Sequence, residues 1–195
     1  MRTTFGGPAV LMLGLLAVHD AHGQSQGAAA LWLDAKEIEP WNSAGQEIPA
    51  APKVQDVANP RCREQARPPQ IGEDERVQNR GWDLVGAFQG GWHIVVVRGT
   101  ASYDGMCRPM HYQDFVFVRG VFAGTLSPTP MNSRTDGAIG RIWLPGPKEL
   151  IAEYTRYAGS DALCCPSRST RVTFEVTGDP PVVRAAAAST SPTGK

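Results

Sequence analysis

Beyond residue 80 the apolar positions fall into short β-rich runs separated by turn residues. Trp82 to Phe88 and Trp92 to Thr100 are two such runs, and Gln89-Gly90-Gly91 between them predicts a hairpin. Ile94-Val95-Val96-Val97 is apolar on both faces, the pattern of a strand covered on both sides. Phe115 to Val118 and Val121 to Ala123 flank Arg119-Gly120, a two-residue hairpin loop with glycine second. Ile139 to Leu144 and Leu150 to Tyr157 predict two more strands around Pro145-Gly146-Pro147-Lys148. Val172, Phe174 and Val176 alternate with Arg171, Thr173 and Glu175, so the last strand has one wet face. Ahead of these runs, Gly72 to Gly81 has acids first, Arg80 late and a terminal glycine, the order of a short helix. The expected fold is α+β, mostly β: a single domain with an antiparallel meander of about six or seven strands, one short helix and two disulfides.

The flanks differ in composition. Residues 1–23 have a positive start at Arg2, an apolar core from Ala9 to Val18, and Ala21-His22-Gly23 as a small-x-small cleavage site. That is the order of a signal peptide, and the apolar run is shorter than the roughly 20 residues a membrane-spanning helix needs. Cleavage near Gly23 would deliver a periplasmic or secreted protein with no transmembrane segment. Residues 24–40 read as a flexible N-terminal arm. Residues 41–60 read as an extended cover anchored by Trp41 and Ile48. The small polar residues of 179–195 predict a disordered tail. The domain proper is placed at 41–178.

Four cysteines, Cys62, Cys107, Cys164 and Cys165, follow the signal segment. An even count in an exported chain predicts disulfides. A bond between neighbours closes a strained ring, so Cys62 and Cys107 are each expected to join one of the adjacent pair. No CxxC is present, and adjacent cysteines suit one zinc poorly, so no metal site is expected.

The 19 Lys+Arg balance 19 Asp+Glu, which leaves no net field to attract nucleic acid. No GxSxG, HExxH, phosphate-binding or dinucleotide-binding motif occurs, and no cofactor is expected. The polar loop 127–137 is the candidate binding site, with Ser133, Arg134 and Asp136 as its chemistry. Arg134 has the planar fork that clamps a carboxylate or phosphate, although a local Arg134–Asp136 pair closing a turn is the plainer reading. His93 reads as a strand residue. His111 lies four residues after Cys107, and a nucleophilic Cys–His pair there fails if Cys107 is in a disulfide. Ser127 has no visible base. Asp104 and Asp114 are scattered acids, and Tyr154, Arg156 and Tyr157 read as cross-strand packing.

Several stretches together resemble the LppP/LprE-type lipoprotein family of bacterial envelopes. They are WNSAGQEIPAAP at 41–52, DGMCRP at 104–109, FVFVRGVFAGTLSP at 115–128, MNSRTDGA at 131–138 and LCCPSRSTRVTFEV at 163–176. The resemblance implies an exported protein with the 164–165 cysteine pair as a shared feature, and it carries no catalytic residue. Gln24 stands where a lipobox needs its cysteine, so no lipid anchor is expected. The reading is a non-enzymatic envelope module that binds an unknown ligand or protein. The alternatives are a hydrolase with dispersed residues or a thiol-based redox sensor.

Overall fold

The computed structural model describes residues 1, 32–54, 60–162 and 164–193. The expected signal peptide, Met1 apart, and the first part of the arm therefore lie outside the described residues. In chain order the strands are β1 (Asp83–Leu84), β2 (Gln89–Gly91) and β3 (Ile94–Thr100). A small ribbon of β4 (Ser102–Tyr103) and β5 (Pro109–Met110) precedes β6 (Gln113–Val118) and β7 (Val121–Thr125). The chain ends with β8 (Ala138–Gly146), β9 (Glu149–Arg156), β10 (Arg168–Thr177) and β11 (Val182–Pro192). A first sheet has the order β1-β3-β6-β7, and β2 pairs with β3 as well. A second has the order β11-β10-β9-β8, and β4 pairs only with β5.

The described strands thus form three antiparallel sheets, where the sequence predicts one meander. The reason is the path after Thr125. The 126–137 loop carries the chain off the first sheet, and the second half pairs with itself. Apolar alternation marks which face of a strand is buried but not which layer buries it. Ile94, Val96, Val116 and Ala123 of the first sheet pack against Leu150, Ala152, Tyr154, Val172 and Phe174 of the second. The other face of the first sheet, Val97, Phe115, Phe117 and Phe122, is covered by Trp82, Val77 and Ile48. The first sheet is therefore a middle layer, which explains why β3 and β6 are apolar on both faces.

The helix forms at Gly72–Gln78, and Gly81 follows it at φ +89°, where a side chain would be strained. A second short helix, Pro60–Arg63, carries Cys62. The β2–β3 turn falls on Trp92-His93 rather than on the glycines before it, because Gly91 pairs with Ile94. The Arg119-Gly120 turn forms as expected, with Val118 opposite Val121.

Both flanks pack more than their composition suggests. Trp32 and Leu33 are buried, and Arg156 grips Asp34 through two N–H···O bonds of 2.6 Å. Residues 32–40 are therefore an anchored segment, not a flexible arm. The expected tail forms β11, which pairs along β10 with Val182 and Val183 buried. Ladder bonds need no side chain, so small polar residues concealed this strand.

The described part of the expected cover, residues 41–54, lies along the sheets, and Asn42 is its clamp. Asn42 Nδ2 donates to Thr125 O of β7 and Val183 O of β11, both at 2.9 Å. Its Oδ1 accepts from Thr125 N at 3.0 Å and from Gln46 Nε2 at 2.9 Å. Trp41 Nε1 also donates to Thr125 O, and Trp82 Nε1 donates to Pro49 O. A Cβ on Gly124 would fall on the Asn42 amide.

The disulfides are Cys62–Cys107 and Cys164–Cys165, which corrects the expected cross-pairing. Cys62 is buried beside Val85 and Tyr103, with its Cα 4.9 Å from that of Cys107. Cys164 and Cys165 lie exposed in the β9–β10 connection, so each has only its neighbour within reach.

Two outcomes follow. Asn42→Ala strands Thr125 N and Val183 O, while Thr125 O keeps Trp41 Nε1, and should cost about 2 kcal/mol in denaturant unfolding; a change within error would show that the amide is not a clamp. Non-reducing peptide mapping should recover Cys62 linked to Cys107, and a fragment joining either to Cys164 or Cys165 would contradict the fold.

Candidate functional site

A charged seam runs between the two sheets on the side opposite Asn42. Arg98 of β3 and Asp114 of β6 are direct cross-strand partners. Arg98 Nε donates to Asp114 Oδ1 at 2.9 Å, and Nη1 donates to Ile139 O of β8 at 3.2 Å. The guanidinium thus joins both sheets and lies 5.6 Å over the Tyr112 ring. Tyr112 Oη donates to Gly137 O at 2.6 Å and accepts from Ile139 N. Backbone bonds in both directions link Tyr112 to Met131 at 2.8 Å. These bonds stitch the 127–137 loop to the first sheet.

Asp114 is 2% exposed, and its Oδ2 has no hydrogen-bond partner among the described residues. Burial pushes this carboxyl above the ordinary aspartate value, against the opposing pull of Arg98. Burial also raises the Tyr112 and Tyr154 hydroxyls. Arg98 separates two clefts. One, of about 240 Å³, is lined by Arg98, Arg108, Pro109, Tyr112, Ser133 and Tyr157. The other, of about 250 Å³, is reached past Gly86, Gly140 and Arg141 and includes Asp114.

The expected loop residues divide by role. Asp136 serves the loop itself, since its Oδ2 accepts from Asn132 N at 2.8 Å and its Oδ1 from Thr135 Oγ1. Ser133 Oγ donates to Pro109 O at 2.8 Å and pins the loop to β5. Arg134 does not pair with Asp136. Its guanidinium stacks 3.9 Å above the Tyr157 ring, and Nη2 donates to Asp161 O at 3.3 Å. Arg134 Nη1 is buried with no partner among the described residues.

The other candidates are mostly structural. Asp104 Oδ1 accepts from Met106 N and Arg108 N, and its Oδ2 takes the Arg108 guanidinium at 2.6 Å. Burial works against the charge on Asp104, but these donors hold its carboxyl below the ordinary value. Ser127 Oγ donates to Thr129 O. Tyr154 Oη donates to Leu126 O in the core. Ser102 Oγ lies 3.1 Å from His111 Nδ1, but Ser102 is buried and the His111 backbone N–H is held by Asn132 Oδ1. His93 sits in the β2–β3 turn at φ +68°. Sequence reasoning missed the Arg98–Asp114 pair and Arg108. The available signal was a charge inside each of two β-rich runs, in VVVRGT and QDFVFV.

Among the described residues no His, Cys, Asp and Glu cluster is arranged to hold a metal ion, and no helix is long and apolar enough to cross a membrane. Residues 92–179 match the model of the LppP/LprE lipoprotein family. No curated protein and no solved structure matches the chain. The matched segment runs from the β2–β3 turn to the β10–β11 turn, so it includes the 127–137 loop and the whole lining of the cleft beside Tyr112, but not Asn42, β11 or the Val85, Gly86, Ala87 and Gln89 that line the Asp114 cleft.

A carboxyl whose folded pKa is raised supports the fold most below its unfolded value of about 4 and loses that support as pH rises through the folded value. Asp114→Asn should therefore flatten the fall in unfolding free energy as pH is raised above about 4. An unchanged pH profile in the variant would contradict this assignment.

Proposed function

We propose that this chain, which carries an LppP/LprE lipoprotein-family segment at residues 92–179, is an exported, non-enzymatic binding module of the bacterial envelope. It works outside the cytosol after removal of residues 1–23 and holds a small carboxylate- or phosphate-bearing ligand beside the 127–137 loop. The observation that carries this reading is Arg134 Nη1. It is a buried guanidinium N–H with no acceptor among the described residues, on a fork already oriented by the Tyr157 ring. An unpaired buried donor costs free energy that a ligand oxygen would recover. The acids nearby are engaged elsewhere: Asp161 accepts from Ala158 N and from Ser167 N and Oγ, with Arg134 also helping to stabilise its charge, Asp136 is used by its own loop and Asp104 by Arg108. Ser133 and Pro109 hold the loop on the sheet, so the fork is presented by a rigid base.

One observation favours a second reading, in which the protein senses redox state through its thiols. Cys164 and Cys165 are exposed and bonded to each other. Mild reduction followed by alkylation should label them before Cys62 and Cys107; stable resistance of all four would end that reading.

Titration with phosphate and with acetate, followed by NMR of the arginine side chains, should perturb the Arg134 guanidinium and the Tyr157 ring. Arg134→Ala should abolish the perturbation, and Arg134→Lys should not restore it, because an ammonium lacks the planar fork. The Arg134→Ala change should alter stability by no more than about 1 kcal/mol. A perturbation that survives in Arg134→Ala, or none in the parent protein, would overturn the proposal. N-terminal sequencing of exported material should begin near Gln24.

A further inference from the structure

The end of the sandwich away from the 127–137 loop gathers hairpin turns from both sheets. The turns Trp92-His93, Arg119-Gly120, Pro147-Lys148 and Gly178–Pro181 surround a concavity of about 480 Å³. That volume is within the usual range for a small-molecule site.

Two of these turns are built from unfavourable residues. A two-residue hairpin turn with positive φ at both central positions is normally Asn-Gly or a close equivalent. Here Trp92 has φ +55° and His93 φ +68°, and Arg119 has φ +51° before Gly120. A bulky residue held in this region is strained, and such strain concentrates at functional positions. The neighbouring structure holds it in place. Arg119 N donates to His93 O at 2.8 Å and ties the two turns together. Arg76 donates to Gly120 O and lies 5.0 Å over the Phe117 ring.

Trp92 is 57% exposed, yet its indole N–H donates to Leu144 O of β8 at 3.1 Å. The ring is therefore oriented, and it offers an apolar face to solvent. Val118 and Val176 supply further apolar lining. The charges at the rim are Arg119, Lys148 and Asp179, with the His93 imidazole beside them. Neither Arg119 nor Lys148 forms an ion pair among the described residues.

We infer that this hairpin end is a second ligand site and that it takes an acidic saccharide, with a pyranose ring against the Trp92 indole and its carboxylate facing Arg119 and Lys148. A sugar ring has one face of C–H groups for the indole and hydroxyl donors for Asp179. An anionic bilayer is the poorer match. The site is concave, a shape that encloses a few sugar rings and not a planar layer of headgroups. The inference is independent of Arg134.

The test is calorimetry on the full chain with trigalacturonic acid as the acidic probe and maltotriose as the neutral one. Trigalacturonic acid should bind and maltotriose should bind at least about tenfold more weakly. The double variant R119Q/K148Q should lose about tenfold in affinity, and R134A should lose none. The variant W92N/H93G places favoured residues in the turn, so it should raise Tm while it abolishes binding. Failure of trigalacturonic acid to bind, equal binding of maltotriose, or full binding by W92N/H93G would overturn the inference. So would a fall in Tm for that variant, because the turn would then carry no strain. Binding of phosphatidylglycerol vesicles without sugar binding would assign the surface to a membrane instead.

Discussion

One amide closes the sandwich. β7 and β11 are edge strands of their respective sheets, and an edge strand presents backbone donors and acceptors that must find partners. Asn42 meets that requirement for both. Its side chain accepts from and donates to Thr125 as a neighbouring strand would, and donates to Val183 across the gap. Gln46 holds the amide from the other side. The arrangement depends on Gly124 at φ +130°, whose missing Cβ leaves the space that Asn42 fills. The N-terminal segment is thus part of the β-structure without being a strand.

The opposite side is closed by charge and a phenol. Arg98 reaches from β3 past its partner Asp114 to the backbone of β8, and Tyr112 Oη bridges Gly137 and Ile139. A buried ion pair and its hydrogen bonds bridge the sheets here, and two clefts lie beside Arg98. The same bonds carry the 127–137 loop, so the cleft and its wall are one construction. Arg134 stands at its margin, oriented by Tyr157.

The two ends of the sandwich are built on different terms. Around the 127–137 loop most polar groups serve a neighbour, while Arg134 Nη1 has no acceptor among the described residues. At the hairpin end the turns of β2–β3 and β6–β7 adopt backbone angles their residues disfavour, and the cations there have no acidic partner among the described residues. Low local stability at a turn is tolerated because the strands below it are buried on both faces.

The sequence by itself determined the β-strands that carry apolar alternation, the helix at Gly72–Gln78 and the Arg119-Gly120 turn, because those depend on local period and turn chemistry. The resemblance to the LppP/LprE lipoprotein family was legible in the runs between 104 and 176, which fall within the segment matching that model at 92–179, whereas the run at 41–52 lies outside it. The tertiary structure decided the rest. The described strands form three sheets instead of one because layer assignment is a long-range property. β11 was hidden because Ala, Ser and Thr carry little pattern while backbone pairing requires none. Cys62 found Cys107 because a short helix and the β4–β5 ribbon meet in the core, a contact that no spacing records. Arg134 lost Asp136 to the loop backbone and took Tyr157, since the nearest partner in space was not the nearest in sequence.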